Sequence, residues 1–436
     1  MTADSPAEGL TSAAALERLA RAYGVATRYD DADGVPHAVA PETVVAVLAS
    51  FGVDASTPRS AADAVADHLR QRSSRVLPPV VVVRSGQPAS TIARVTPGTR
   101  AQAQVTTDAG AVIGCSTPAG PGPAPADASA DLPPRHQQVI RIPALPPGWH
   151  QLSVQAGAES RSCTLLATPP GGARRPERRR RWGWAAQLYA LPSSTSWGIG
   201  DLADLAELAS VSGREFGADL VVCNPLHAGA LTRPVEDSPY SPSSRQFHNP
   251  IYLRVDATPE YRAAPPDVRR LVDAHRPDVG ADLIDRERVW RAKQAALEML
   301  FEQSDPALRA ERLHRARAEH GPAVDTFALF SAAAERYGRR WPDWPAGLRS
   351  ADDALVPALR AQLAGRIDFH VWLQALCREQ LLAAAEAARA GGMAVGIVHD
   401  LAVGVDPGGA DAWARPDLLV RGMTIGAPPD GFYSAG

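Results

Sequence analysis

A strand, a helix and a second strand follow one another between residues 184 and 226, and this order constrains the fold more than any other feature. The run Trp184 to Leu191 is apolar enough for a buried strand. Leu202, Leu205 and Leu208 then recur at the spacing of one helix face, and Asp219 to Leu226 is a second apolar run. Two strands joined by a helical crossover lie parallel in one sheet. The sequence therefore predicts a β/α unit built on a parallel sheet.

A long helical stretch separates this unit from a third strand. Helical periodicity dominates from Pro265 to Ala390, and Ala394 to Val398 is a further apolar strand that closes at His399 and Asp400. Strands of this kind build (β/α)8 TIM barrels, which need about 250 residues plus insertions. We predict that residues 182–436 form the first part of such a barrel, with a helical subdomain inserted at about residues 254–390. Since the sequence shows only the first barrel strands, we expect the others to lie beyond Gly436.

Three regions with different sequence patterns precede the predicted barrel. Residues 1–76 show helical spacing, and residues 77–168 show short alternating strands between turns, which is typical of a β-sandwich. Residues 169–181 are rich in arginine, proline and glycine and are predicted to be a solvated linker rather than a nucleic-acid-binding patch. Trp149 lies on a sandwich strand, where we predict a core aromatic, with stacking on a sugar as the alternative. The predicted fold class is multidomain: a helical segment, a β-sandwich, and the first part of a TIM barrel with a helical insertion.

The composition argues against several classes of partner. The net charge is −3, with 45% hydrophobic and 21% charged residues, so neither nucleic acid nor an anionic membrane is an expected partner. The four cysteines lie far apart without a C-x-x-C pair, and the sequence implies no metal site and no cofactor. No secretory signal opens the chain, and no stretch reaches the ~18 apolar residues of a membrane helix. We predict a cytoplasmic protein and leave its oligomeric state open.

A glycine-rich pattern after the first strand invites a nucleotide-binding interpretation. Residues 198–203 read GIGDLA, which fits the G-x-G-x-x-A fingerprint of dinucleotide-binding folds. That fingerprint places its first glycine directly after the strand, so that a pyrophosphate lies at the helix N-terminus. Here residues 192–197 intervene, and the following strand ends in Asn224 rather than in an acidic residue. We therefore predict a tight turn whose Asp201 caps the next helix.

A stiff loop rich in hydroxyl groups follows the second strand. Residues 237–244 read DSPYSPSS, and residues 249–253 read NPIYL. The prolines restrict the backbone, the serines supply hydroxyl groups, and Tyr240 supplies an aromatic face. Barrel enzymes carry their chemistry on loops at the C-terminal ends of strands. We therefore predict a sugar-binding surface on this loop.

Four ordered motifs resemble those of the 4-α-glucanotransferases, the amylomaltases or disproportionating enzymes of glycoside hydrolase family 77. They are LPSS with SWGIGD at 191–201, SPYS with NPIY at 238–252, DLAVGV with GADAW at 400–413, and GAPPD at 426–430. The residues before the barrel are similar to the N-terminal extension of the longer bacterial members. The resemblance implies transfer of α-1,4-glucan segments between maltooligosaccharides by a retaining double displacement. That chemistry uses two carboxylates about 5 Å apart.

The resemblance also implies roles for particular residues. Asp400 would hydrogen-bond sugar hydroxyls at the cleaved bond, Tyr240 would stack on or bond that sugar, and Asp430 would touch the glucan from a covering loop. Ser238, in the same loop as Tyr240, is also a predicted substrate-binding residue. The nucleophile, the acid/base and the charge-stabilising carboxylate are expected beyond Gly436. We therefore assign no catalytic residue within the chain and expect these 436 residues alone to be inactive. Simpler roles stay open: a strand-end cap for Asp400, a packed aromatic for Tyr240 and a turn residue for Asp430.

Two other functions remain as alternatives. The chain is alternatively a carbohydrate-binding or interaction module without catalysis, which glucan retention by residues 1–170 alone would indicate. A different retaining α-glucan hydrolase of the same barrel superfamily is disfavoured, because no loop of the D-x-x-x-N-H type follows the third strand.

Overall fold

The structure, a computed structural model, divides into two compact units. It describes residues 12–31, 33–118, 136–169, 180–277, 283–420 and 422–423. Among these residues, one unit comprises those before residue 179 together with residues 422–423, and the other lies within residues 179–421. Most of the predicted linker at residues 169–181 lies outside the described residues, as does Asp430.

The first unit opens with a small helical region. Its elements are α1 (Ser12–Ala22), β1 (Arg28–Asp30), β2 (Pro36–Ala38), α2 (Pro41–Ser50) and α3 (Pro58–Ser74). The helices bury their apolar faces together, with Leu19, Leu48 and Val65 in the shared core. Thr57 starts α3 through a capping box: its hydroxyl accepts from the Ser60 N–H at 3.1 Å, and the Ser60 hydroxyl accepts from the Thr57 N–H at 3.0 Å.

The rest of the first unit is a β-sandwich. Its strands are β3 (Val80–Arg84), β4 (Ala89–Val95), β5 (Ala101–Thr106), β6 (Val112–Cys115), β7 (His136–Ile142), β8 (Gly148–Ala156) and β9 (Glu159–Thr168). One sheet has the order β3-β9-β8-β5-β6, and β4 pairs with β7 in the other. Side chains alternate along each strand, so Val105, Leu152 and Leu165 are buried in the core together with residues of β4 and β7.

Trp149 does not pack in this core. It is 68% exposed, whereas its neighbour His150 is buried. The prediction of a core aromatic is therefore wrong. The physical reason is the phase of β8: Leu152 and Val154 are buried, so even-numbered positions face inward and Trp149 faces outward.

The second unit is built around a parallel sheet. Its strands are β10 (Gly183–Ala186), β11 (Leu220–Cys223), β12 (His227–Ala228), β13 (Ser244–His248) and β14 (Gly396–His399). β10, β11 and β14 form one parallel sheet with β11 in the middle, and β12 pairs with β13 in the antiparallel sense. Helix α4 (Leu202–Phe216) connects β10 to β11 and ends at Gly217, whose φ of 65° favours glycine. The predicted pairing of the two strands of the β/α unit is confirmed.

Helices occupy most of the chain between β13 and β14. They are α5 (Pro259–Ala263), α6 (Pro266–Asp273), α7 (Arg286–Gln303), α8 (Pro306–His320), α9 (Pro322–Tyr337), α10 (Val356–Gln362) and α11 (Ala364–Ala390), and the short α12 (Ala410–Ala414) follows β14. Four of them begin at proline, whose fixed φ suits the first helical turn. The long helix α11 is central, because it packs against α4, α8 and α9. None of the described helices is both long enough and apolar enough to cross a membrane.

The predicted fold class is confirmed: helices, a β-sandwich, and parallel strands interrupted by a helical insertion follow in this order. The strands of the described residues do not close into a barrel. The first strand is shorter than predicted, because the chain turns into a 3-10 helix at Leu188–Ala190. There the Leu188 N–H donates to the Asn224 side chain at 2.7 Å rather than to a neighbouring strand. The limits given for each domain remain predictions.

Candidate substrate site

The parallel sheet brings three side chains to one edge. Its strands are in register at Ala186, Cys223 and His399. The next residue of each strand therefore lies at the carboxyl edge of the sheet: Gln187, Asn224 and Asp400. Backbone bonds hold this row together, since the Asp400 N–H donates to the Cys223 carbonyl at 3.1 Å and the Asn224 N–H to the Ala186 carbonyl at 3.3 Å. This edge is where β/α proteins bind their ligands.

Asn224 stabilises this edge from within. It is buried, and its carbonyl oxygen accepts from the Leu188 N–H at 2.7 Å. Its amide donates to the Pro225 carbonyl at 2.9 Å and to the Tyr252 hydroxyl at 3.2 Å. Burial raises the pKa of Tyr252 to about 12, so the phenol stays neutral. The polar atoms of Asn224 are thus engaged inside the protein, and its role is to position the chain on either side.

Asp400 is more accessible to a ligand. Its side chain is half-buried, and none of the described residues donates a hydrogen bond to its carboxylate. The carboxylate therefore caps no described backbone group. The alternative role of Asp400, a strand-end cap, finds no support among the described residues. Its charge acts on the buried thiol of Cys223 and on His227. Asp400 accordingly presents two acceptor oxygens at the carboxyl edge of β14.

The loop between β12 and β13 carries Ser238 and Tyr240. The Ser238 hydroxyl accepts from the Tyr240 N–H at 3.3 Å, which holds the turn. Asp237 forms an ion pair with Arg286 at 3.4 Å and ties the same turn to α7. Tyr240 is 49% exposed, and Ser238 is exposed as well. The ring is therefore available for stacking rather than packed within the loop.

The Tyr240 loop is hydrogen-bonded to the segment that follows β14. The Asp406 N–H donates to the Pro242 carbonyl at 2.8 Å. Ser243 accepts twice, at its carbonyl from the Asp411 N–H at 3.0 Å and at its hydroxyl from the Ala410 N–H at 2.9 Å. The structure thus makes neighbours of the two loops on which Tyr240 and Asp400 were predicted.

The motif GADAW helps to hold these loops together. A side chain at Gly409 would place its Cβ 2.6 Å from the Cα of Ser243, so only glycine permits this approach. Arg245 adds a side-chain bridge, because one guanidinium nitrogen donates to the carbonyls of Ala402 and Val403 at 3.1 Å each. Gly409 of this motif and Arg245 outside it therefore fix the positions of the two loops relative to each other.

Two residues at this site were not predicted from the sequence. Arg245 donates its backbone N–H to the Asp411 carboxylate at 2.9 Å. His227 lies close enough to Asp400, Asp411 and Arg245 to be affected by their charges. Burial and then Arg245 lower its pKa, while the two carboxylates oppose them, so His227 is neutral near pH 7. The sequence signal for His227 was its place in the run NPLH directly after a buried strand.

The first motif forms a buried ion-pair network. Asp201 caps α4, as predicted, by accepting from the N–H groups of Ala203 and Asp204. The guanidinium of Arg254 contacts the Asp201 carboxylate at 2.5 Å and the Asp204 carboxylate at 2.7 Å. A pyrophosphate at this helix end would face two carboxylates, which argues against the nucleotide-binding interpretation. Gly200 is required by the close approach of the Leu188 carbonyl.

One predicted site residue lies outside the described part of the chain. Asp430 lies outside them, so its contact with glucan stays a prediction. Within the described part of the chain, no group of three or more His, Cys, Asp or Glu side chains is arranged to hold a metal ion.

Comparison with known proteins identifies the family. The profile described as 4-alpha-glucanotransferase matches residues 186–436, and the profile described as MalQ N-terminal beta sandwich domain matches residues 76–169. The 4-alpha-glucanotransferase of Mycobacterium tuberculosis (strain ATCC 25618 / H37Rv) is 40% identical over 438 residues, which cover 97% of this chain and 60% of that protein. The 4-alpha-glucanotransferase of Haemophilus influenzae (strain ATCC 51907 / DSM 11121 / KW20 / Rd) is 34% identical, over 67% of this chain and 45% of that protein.

A solved structure supports the same assignment. The crystal structure of amylomaltase from Corynebacterium glutamicum superposes with a TM-score of 0.80 at 33% identity, and the match covers 97% of this chain and 59% of that one. The chain thus spans about three fifths of the length of the mycobacterial and corynebacterial relatives. With the family profile matching more than half of its residues, the chain belongs to the 4-alpha-glucanotransferase family of glycoside hydrolase family 77.

Proposed function

We propose that this chain supplies part of the sugar-binding cleft of a 4-α-glucanotransferase, which transfers α-1,4-glucan segments between maltooligosaccharides. The observation that carries the proposal is the hydrogen-bonded contact between the Tyr240 loop and the segment after β14. This contact lies beside the carboxyl edge of a parallel sheet, where barrel enzymes bind their substrates. The family membership supports the α-glucan as the ligand.

Four residues are proposed to contact the sugar. Asp400 accepts hydrogen bonds from sugar hydroxyls, because its carboxylate is half-buried and no described group donates to it. Tyr240 offers an exposed ring for stacking on the sugar face, and Ser238 offers a hydroxyl in the same turn. Asp430 is proposed to join them from the covering loop.

The chemistry is proposed to be a retaining double displacement. Its first step needs a nucleophilic carboxylate on one side of the anomeric carbon and a carboxylic acid on the other, about 5 Å apart. An acceptor sugar in place of water then takes the glycosyl group, which gives transfer instead of hydrolysis. The resemblance assigns the nucleophile, the acid/base and the charge-stabilising carboxylate to none of the residues of this chain. We therefore expect these 436 residues to bind maltooligosaccharides without turning them over.

Titration calorimetry with maltoheptaose tests the role of Asp400. Asp400→Asn keeps the shape of the side chain but removes the charge that strengthens its hydrogen bonds, and we expect affinity to fall by about tenfold or more, since about 1.4 kcal/mol is a factor of ten. Asp267→Asn, at an exposed position of α6, is the matched control and should bind as the wild type does. Wild-type affinity for the Asp400 variant would refute the assigned role.

A turnover assay tests where the catalytic carboxylates lie. Maltotriose is the substrate, since one transfer between two molecules yields glucose and maltopentaose. We expect no product from the 436-residue chain. Product formation would show that the nucleophile lies within it, and Asp400 would then be the leading candidate.

We also propose that the protein works in the cytoplasm. Its four cysteines, Cys115, Cys163, Cys223 and Cys377, are all free thiols, which suits a reducing compartment. A displacement carried out by carboxylates requires no cofactor, and none is proposed.

A further inference from the structure

We propose that the outer face of the sheet β3-β9-β8-β5-β6 is a second docking surface for α-1,4-glucan chains, centred on Trp149. The surface belongs to the first compact unit and shares no residue with the cleft assigned above. The choice of ligand rests on the proposed function, while the surface itself is argued from its side chains.

Trp149 is the first argument for a ligand on this face. A tryptophan that exposes 68% of its surface has much apolar area in contact with water. Two apolar side chains continue the row. The strand register places Leu166 of β9 directly beside Trp149, and Val82 of β3, which is 63% exposed, directly beside Leu166. At a strand spacing of about 4.8 Å, this apolar row is about 10 Å long. A flat apolar strip of this kind suits the C–H face of a sugar chain.

Polar side chains border the apolar row. Gln151 lies two residues further along β8 on the same face, and its cross-strand partners are Thr164 on β9 and Thr106 on β5. The next outward position of β5 is Gln104. Amide and hydroxyl groups both donate and accept hydrogen bonds, which is what sugar hydroxyls require.

The near absence of charge decides which ligand fits. On these five described strands, alternation leaves Arg84, at the end of β3, as the only charged side chain that faces outward. The chain as a whole is 21% charged, so an ordinary solvated face would carry more charges than this. Nucleic acids and anionic lipids bind through clustered positive charge, which this face lacks. An uncharged polyhydroxyl chain is the ligand whose charge matches it.

The backbone on both sides of Trp149 is held in place. His150 points into the sandwich, where its Nδ1 accepts from the Asp108 N–H at 3.3 Å, and its Nε2 therefore carries the proton donated to the Pro146 carbonyl at 2.9 Å. Gly148 has a φ of 153°, and a Cβ there would collide with the Asp108 carboxylate. With the backbone fixed, only the two side-chain torsions of Trp149 remain to be ordered when a ligand binds.

Affinity electrophoresis of the 436-residue chain tests the proposal. Native gels contain amylopectin, and gels with dextran, whose linkages differ, serve as the blank. We expect amylopectin to retard the wild type and Trp149→Ala to bind about tenfold more weakly, because truncation of a central aromatic anchor typically costs this much. Trp149→Tyr should keep part of the retardation, since a ring remains. Trp182→Ala removes another exposed tryptophan, in the second unit, and should behave as the wild type does.

The outcomes separate this proposal from the function of the cleft. Retardation that survives in Tyr240→Ala and is lost in Trp149→Ala supports the surface, whatever the calorimetry of the cleft shows. Retardation that is unchanged in Trp149→Ala, or absent in the wild type, overturns the surface and leaves the cleft untouched. If Trp149→Ala instead converts a dimer into a monomer in sedimentation, the face is an interface between copies of the chain and the proposal is wrong.

Discussion

Replacing Arg254 with methionine tests the ion-pair network beneath the first loop of the sheet. The guanidinium of Arg254 is buried and contacts the carboxylates of Asp201 at 2.5 Å and Asp204 at 2.7 Å, and it donates to the Thr195 hydroxyl at 2.9 Å. Methionine fills similar space but carries no charge. The variant therefore leaves two buried carboxylates without their cation.

The expected loss follows from the burial of both carboxylates. Asp201 is fully buried and Asp204 is 7% exposed, and breaking a buried ion pair by removing one partner costs about 3–5 kcal/mol. In a unit of this size, spanning residues 179–421, each kcal/mol lowers Tm by about 2–4 °C, so we expect a fall of about 6–20 °C.

Arg317→Met provides the matched control. Arg317 also contacts two carboxylates, those of Asp325 at 3.0 Å and Asp368 at 2.7 Å, but its side chain is 36% exposed. Exposed ion pairs contribute about 0–1 kcal/mol. Thermal unfolding followed by circular dichroism should therefore show a much smaller change for this variant. Equal losses of Tm in the two variants would refute the reasoning from burial.

The same network predicts that the stability of the protein depends on pH. Burial alone would raise the pKa of Asp204, but hydrogen bonds from Ser193, Ser196 and the Asp201 N–H, together with the charge of Arg254, more than offset it, so the net pKa lies below the ordinary 3.8. A depressed pKa gives stability that is present above pH 3.8 and lost as pH falls through the pKa of the folded state. Unfolding midpoints of Ser193→Ala should therefore approach those of the wild type as pH falls below that value, whereas a constant difference would contradict the argument.

Two further predictions concern Gly409 and Lys293. Gly409→Ala places a Cβ 2.6 Å from the Cα of Ser243 and should weaken maltoheptaose binding severalfold. The control is Gly404→Ala, whose Cβ would meet nothing within 4 Å and which should bind as the wild type does. Equal affinities of the two variants would show that the contact between the loops is unimportant for binding. Burial lowers the pKa of Lys293 from 10.5 to about 8. As pH rises, Lys293 therefore loses its proton in the folded protein at a lower pH than in the unfolded chain. The unfolding free energy of the wild type should therefore rise relative to Lys293→Met between these pH values, and a flat difference in urea titrations would refute the shift.

Features set by local periodicity could be predicted from the sequence. The β/α unit followed from the spacing of Leu202, Leu205 and Leu208, and the helix cap from the position of Asp201 before them. These depend on residues within a few turns of one another, where pattern and capping chemistry suffice.

Features set by long-range packing could not be predicted in this way. Nothing near Leu188 in the sequence shows that its N–H will bond to Asn224 and end the strand early. The outward phase of Trp149 depends on which side of β8 meets the opposite sheet. Arg245 joined the site only because its guanidinium reaches carbonyls about 160 residues further along the chain.

The buried lysine gives this protein an unusual chemical property. Lys293 is the only lysine in 436 residues, and its side chain is fully buried, donating to the carbonyls of Ile251 at 2.6 Å and Leu253 at 2.8 Å. Its amine is therefore out of reach of acylating reagents while the fold is closed. Modification of Lys293 requires the packing around α7 to open, so its rate, followed by mass spectrometry, reports how often that opening occurs. The acylation rate of this one residue therefore measures local opening of the native protein.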